Sequence, residues 1–216
     1  MNTYLRKAFI LFIISFITAF PVFGLKYSYN LDSLNRVVKG QKDTTQVMTL
    51  FWISKENILI SKLDTAWQLC EEMEKISRQF SYKKGIMYTL CQKGTVLFFR
   101  SEYQQAKKVL EKCLEMADIS NDYYMKGRVR QMLTITLTPM GEYQQAMEYA
   151  LASCKNFERI DHVLGTANML TNIGNIYDLQ KNYPKAIEYH FKSANLAKKI
   201  NHKYVYAISI GNAAAI

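Results

Sequence analysis

Residues 101–106 read Ser101-Glu102-Tyr103-Gln104-Gln105-Ala106, residues 141–146 read Gly141-Glu142-Tyr143-Gln144-Gln145-Ala146, and residues 181–186 read Lys181-Asn182-Tyr183-Pro184-Lys185-Ala186. The three hexamers are forty residues apart, and Ala66 extends the series backwards by one more step. Three residues before the alanines stand Leu63, Tyr103, Tyr143 and Tyr183, and twelve before them the small residues Ser54, Gly94, Thr134 and Gly174. Coincidence at several phases at once marks one supersecondary unit copied in tandem, whose copies stack into a solenoid.

The unit from Ala167 to Tyr206 shows what is copied. Met169, Leu170, Ile173, Ile176 and Tyr177 recur at helical spacing, Lys181-Asn182 interrupts them, and Pro184 suits a first helical turn. Ala186, Ile187, Phe191, Ala194, Ala197 and Ile200 form a second stripe, closed by Asn201-His202-Lys203. The unit is therefore expected to be helix, short turn, helix, longer turn. Glycine inside a helix costs about 1 kcal/mol relative to alanine, so Gly94 and Gly174 require a packing reason. The expected reason is close approach of the two helices, with Gly174 on one and Ala186 on the other.

Ile173-Gly174-x-x-Tyr177 followed by Ala186 resembles the tetratricopeptide repeat (TPR) signature, L-G-x2-Y then A. His190 stands where the family has an aromatic four residues after the alanine, Lys93 replaces the apolar residue before Gly94, Arg130 replaces the aliphatic residue at positions 90, 170 and 210, and Asn57 takes the Tyr177 slot. The period is about six residues longer than the usual TPR length, which longer helices or a longer inter-repeat turn would absorb. The resemblance implies an all-α fold, a right-handed α-solenoid of TPR-like helix-turn-helix repeats. Four repeats are expected over 47–206 (47–86, 87–126, 127–166 and 167–206), and 207–216 reads as the start of a truncated fifth, since Ala207, Asn212 and Ala214 repeat Ala167, Asn172 and Gly174.

Residues 1–24 are of a different kind. Arg6 and Lys7 precede an uncharged run from Ala8 to Phe20 that ends at Pro21, with Val22-Phe23-Gly24 beyond it. This reads as a secretory signal peptide. The alternative is an uncleaved anchor, because Ala8 to Leu25 reaches the lower limit for spanning a bilayer. Residues 25–46 are expected to form a leader with a short amphipathic capping helix starting near Asp32 and carrying Leu31, Leu34, Val37 and Val38.

Two of the ten excess positive charges, Arg6 and Lys7, lie in the first 24 residues, and the other lysines are scattered over turns and helix faces. No basic stripe interleaved with aromatics appears, which argues against nucleic acid as partner. Cys70, Cys91, Cys113 and Cys154 lack paired spacing, so zinc is not expected, and the thiols read as buried small hydrophobes. His162 and His202 recur with the inter-repeat turn, and His190 is expected to pack between helices. With no Ser/His/Asp arrangement and no phosphate loop, neither catalysis nor a cofactor is expected.

In TPR-like units the first helices line the concave face, so the resemblance makes Tyr88, Thr95, Arg128, Gln131, Asn168, Thr171, Asn172, Asn175 and Asp178 the candidate ligand groove. These are mostly uncharged, and their amides suit a peptide backbone. Gly94, Gly174, Ala66, Ala106, Ala146 and Ala186 are the packing positions. The slots of a carboxylate clamp hold Cys91, Thr95, Met132, Asn168 and Asn172 instead of lysine and arginine, which argues against that mode. The expected function is a non-catalytic protein-interaction module outside the cytoplasm that binds a peptide or partner protein in the concave groove, exported and periplasmic, or anchored in the inner membrane, with membrane association through residues 8–25 or a missing downstream helix. The alternative is the truncated sensory input region of a membrane-bound two-component kinase or transcriptional regulator, which the leader, the period and the segment Leu31-Asp32-Ser33-Leu34 resemble.

Overall fold

The computed structural model describes residues 31–216. They form α1 (Leu31–Gly40), α2 (Thr45–Leu59), α3 (Leu63–Gln79), α4 (Lys83–Phe99), α5 (Tyr103–Ile119), α6 (Tyr123–Leu137) continued by a 3-10 turn (Thr138–Met140), α7 (Tyr143–Glu158), α8 (Val163–Leu179), α9 (Tyr183–Lys199) and α10 (Lys203–Ala214). The helices fall into two compact units, 31–121 and 122–216. Within the first, α1 packs on α2, α2 on α3, α3 on α4, and α4 on α5; within the second, α8 packs against α7 and α9 and more lightly against α6 and α10. The fold is all-α, a solenoid of helix-turn-helix repeats.

The turns explain the period. Lys62, Tyr82, Glu102, Glu142, His162, Asn182 and His202 each donate their N–H to the carbonyl five residues back, at 2.7–3.2 Å. The residue before each of them (Ser61, Ser81, Ser101, Gly141, Asp161, Lys181, Asn201) has φ between 50 and 78°. This is the Schellman closure, with the left-handed residue just past the helix end. The donor residue is also the N-cap of the next helix, so a turn of three residues, or of four at 159–162, ends one helix and begins another. Turns within and between repeats therefore differ in length by no more than a residue or two, contrary to the expected short and long pair. Two helices of 17 residues, as in α4 and α5, supply the extra length over the family signature. The turn at Ser120–Asp122 differs: Ser120 is extended, with ψ 159°, and this turn lies at the boundary of the two units.

The register alanines sit where three helices meet. Ala66 shares a core cluster with Ile58 of its own hairpin and Val96 of the following one, and Ala146 likewise with Leu137 and Ile176. Ala66 and Ala146 thus pack both within their repeats and onto the next, which leaves no room for a longer side chain.

The small slot twelve residues earlier has a different partner from the one expected. A Cβ added at Gly94 would lie 2.5 Å from Leu110, and one at Gly174 would lie 2.6 Å from His190. Both partners stand four residues beyond the alanine, so the glycines accommodate a bulky neighbour on the second helix, not the alanine itself. In the other two repeats the sizes are reversed. Ser54 and Thr134 donate their hydroxyls to the carbonyls of Ala66 and Ala146, at 3.1 and 3.3 Å, and the residues four further on are the small Cys70 and Ala150. Phe157 of α7 is held in the same way, wedged against Gly127 of α6 and Gly165 of α8.

A second hydrogen bond recurs across the last three hairpins. Cys113, Ser153 and Ser193 donate to the carbonyls of Met87, Gly127 and Ala167, each 26 residues back, at 3.2, 2.8 and 2.7 Å. All four cysteines are buried. Burial pushes the thiols of Cys70 and Cys154 up to about 12, as suits packed and unreactive groups.

Candidate functional site on the first helices

On α8, Asn168, Thr171, Asn175 and Asp178 follow one another at three and four residues and share a face. Asn168, Asn175 and Asp178 are partly exposed, and Thr171 is 4% exposed. Its hydroxyl lies 2.8 Å from that of Ser193 on α9 and 3.2 Å from that of Ser209 on α10, and it donates to the Ala167 carbonyl at 3.3 Å. Thr171 therefore belongs to a buried hydroxyl cluster that ties three helices together. Asn172, 9% exposed, turns its amide towards Met169 Sδ.

Asn212 of α10 donates through Nδ2 to Asn175 Oδ1 at 3.1 Å, joining the amides of neighbouring first helices, while Asn175 Nδ2 is buried without a hydrogen-bond partner. Burial raises the Asp178 carboxyl above its ordinary pKa. On α6, Arg128 donates to Gln131 Oε1 at 2.7 Å, and Gln131 is 6% exposed. The accessible part of this face consists of Arg128, Asn168, Asn175, Asp178 and Asn212. It offers hydrogen-bond donors and acceptors with little net charge.

The 31–121 unit presents a different chemistry. Tyr88 meets the Phe51 ring edge-on at 5.3 Å, and Phe51 meets Trp52 in the same way at 5.3 Å. Lys84 Nζ lies 5.9 Å from the Tyr88 ring and Lys55 Nζ 4.8 Å from the Trp52 ring. Thr95 is 1% exposed and donates to the Cys91 carbonyl at 2.9 Å. Of the two candidates on α4, then, Tyr88 is partly exposed and Thr95 is interior.

Phe51, Trp52 and Lys55 were not among the residues singled out from the sequence. The signal was available: three periods later they become Thr171, Asn172 and Asn175. Asn212 is Asn172 one period on, as the start of the fifth repeat already implied. Among the described residues no three His, Cys, Asp or Glu side chains gather as a metal site, and no helix is long and apolar enough to cross a membrane.

A family model for the tetratricopeptide repeat matches residues 88–119, most of α4 and all of α5. No curated protein matches the sequence. Among solved structures, a signal transduction ATPase with numerous domains (STAND) carrying a tetratricopeptide repeat sensor, from Pyrococcus horikoshii, superposes with a TM-score of 0.69 at 16% identity over 84% of this chain and 28% of that one. The apo form of RapI gives 0.61 at 18% over 78% of this chain and 48% of its own. BtubC (BKLC) from P. vanneervenii gives 0.66 at 13% over 87% and 84%. The chain thus spans about a quarter and about half of the first two proteins. At these identities the likeness is one of fold, that of a TPR-like solenoid.

Proposed function

We propose that this TPR-like array is a non-catalytic scaffold that binds a protein or an extended peptide along its first helices. The observation that carries this reading is the accessible amide face of the 122–216 unit, Asn168 and Asn175 on α8 with Asn212 bonded to Asn175 across the helix pair. A peptide backbone presents one donor and one acceptor per residue, and a side-chain amide answers both. Replacing Arg128, Asn168 and Asn175 together by alanine should abolish partner capture in a pull-down while leaving the thermal midpoint within a few degrees of wild type. Undiminished capture by a folded triple variant would place the partner elsewhere on the array.

The scaffold is further proposed to act outside the cytoplasm, on the strength of Arg6-Lys7 and the uncharged run after them. Those residues lie outside the described part of the chain. N-terminal sequencing of the protein recovered from fractionated cells tests this: a mature start near residue 25 in the exported fraction supports it, and an intact Met1 in the cytosolic fraction overturns it.

A second reading is the input half of a signalling protein. What favours it is the sensor role that the description of the Pyrococcus protein gives to its tetratricopeptide repeats. The genomic frame beyond the codon for Ile216 decides it. A frame that continues into more repeats and an output domain supports the reading, and a stop codon at that point removes it.

A further inference from the structure

We infer that the last two helical hairpins of the array form an acid-sensitive clasp, held closed by histidine rings that must stay neutral. The chain has three histidines, His162, His190 and His202, and all lie between α7 and α10. The 31–121 unit has none.

Two of them are N-caps. His162 Nδ1 accepts from the Gly165 N–H at 2.9 Å and His202 Nδ1 from the Val205 N–H at 3.3 Å, at the starts of α8 and α10. A ring nitrogen that accepts from the backbone carries no proton, so the hydrogen is assigned to Nε2. Protonating Nδ1 removes the acceptor, turns a donor against a donor, and puts positive charge at the positive end of a helix. The third ring, His190, is 1% exposed and fills the space opened by Gly174, with its Nδ1 lacking any hydrogen-bond partner. An imidazolium there would be a buried charge without a counterion.

The surroundings act in the same direction. Burial lowers His162, and Arg128 of α6 lowers it further, against a weaker opposing pull from its own backbone; the rings of Tyr124 on α6 and Phe157 on α7 stand 5.4 and 5.2 Å from it. Burial alone pushes His190 down to about 4, and burial lowers His202 against a weaker pull from its own backbone. No charged side chain among the described residues bears on either of these two rings. Asp178 of α8 opposes the clasp's opening, because burial raises its carboxyl and acid therefore relieves it. With native values below the ordinary histidine value, the stabilisation is complete above pH ~6.5 and is lost as pH falls towards the native values.

Hydrogen exchange on the full-length chain at pH 7.5 and 5.5, corrected for intrinsic rates, tests the inference. A ring that stays neutral in the fold raises the opening equilibrium about tenfold over this interval. The expected result is at least that increase for amides of α8, α9 and α10, with a smaller change in α3 and α4. The triple variant His162→Asn, His190→Leu, His202→Asn keeps two side-chain caps and places at 190 the residue that Gly94 already accommodates in Leu110. It should remove the difference. Equal change in both units, or the same acid response in a folded triple variant, overturns the clasp. Should the variant fail to fold at pH 7.5, a proton NMR titration of the wild-type rings decides: His190 unprotonated down to pH ~5.5 with His162 and His202 titrating below the ordinary value supports the clasp, and ordinary titration of the rings near pH ~6.5 overturns it.

Discussion

Leu110 and His190 occupy the same place in their repeats, and each faces a glycine, while Cys70 and Ala150 at that place face a serine and a threonine. Size removed from one helix is restored on the other, as close packing requires. Gly94→Ser should therefore cost ~1–3 kcal/mol by driving the side chain against Leu110, and Leu110→Cys should cost about 2 kcal/mol or more by leaving a void. Together they recreate the Ser54–Cys70 pair, whose Oγ and Sγ lie 3.7 Å apart. The double variant should be more stable in urea than the sum of the single changes by at least ~1 kcal/mol, and strict additivity would show that the two positions do not meet. The sequence showed that the glycines needed a reason, but it pointed to the alanine as their partner. Residues four apart lie on one helix face, and only the three-dimensional register shows which of the two the glycine meets.

At the scale of the element, the turns were harder to read than the helices. Asp161-His162 and Asn201-His202 look like the middle of a polar loop, yet each pair closes one helix and caps the next. Six of the seven left-handed positions hold Ser, Asp, Lys or Asn, so the glycine that normally marks such a turn was absent. A non-glycine residue there carries a steric cost of ~1–2 kcal/mol. Ser101→Gly, at φ 62°, should raise stability by about 0.5–1 kcal/mol once the greater freedom of the unfolded glycine is deducted. Ser120→Gly, at an extended position, should lower it by about 0.5–1 kcal/mol, and further through the lost hydroxyl bond to the Ala117 carbonyl. Urea midpoints for the two variants distinguish this account, since movement in the same direction would mean that backbone conformation does not govern the effect.

Across the molecule, repeat stability is a sum of local contacts. Ala146→Leu should overpack the cluster of Leu137 and Ile176 by ~1–3 kcal/mol. Exchange protection should fall in α7 and α8 and hold in α2 and α3; a uniform loss would mean that the array unfolds as one block. The fold and the leader helix were legible because both rest on periodic apolar positions. The candidate face was only partly so. Thr95 and Thr171 have the polarity and the phase of groove residues but are interior, Thr171 because α10 lays Ser209 against it. Polarity in sequence does not distinguish a residue facing solvent from one bonded inside a helix stack. The reciprocal sizes of the slot also set a limit on how the hairpins can pair. If α9 were to take the place of α7 beside α6, His190 would be driven into Thr134; if α7 were to take the place of α9 beside α8, Ala150 would leave a hole beside Gly174. Tandem copies are prone to exchanging partners as they fold, and here neighbouring second helices carry opposite shapes, so the amino acids that let the copies diverge also tell the folding chain one copy from the next.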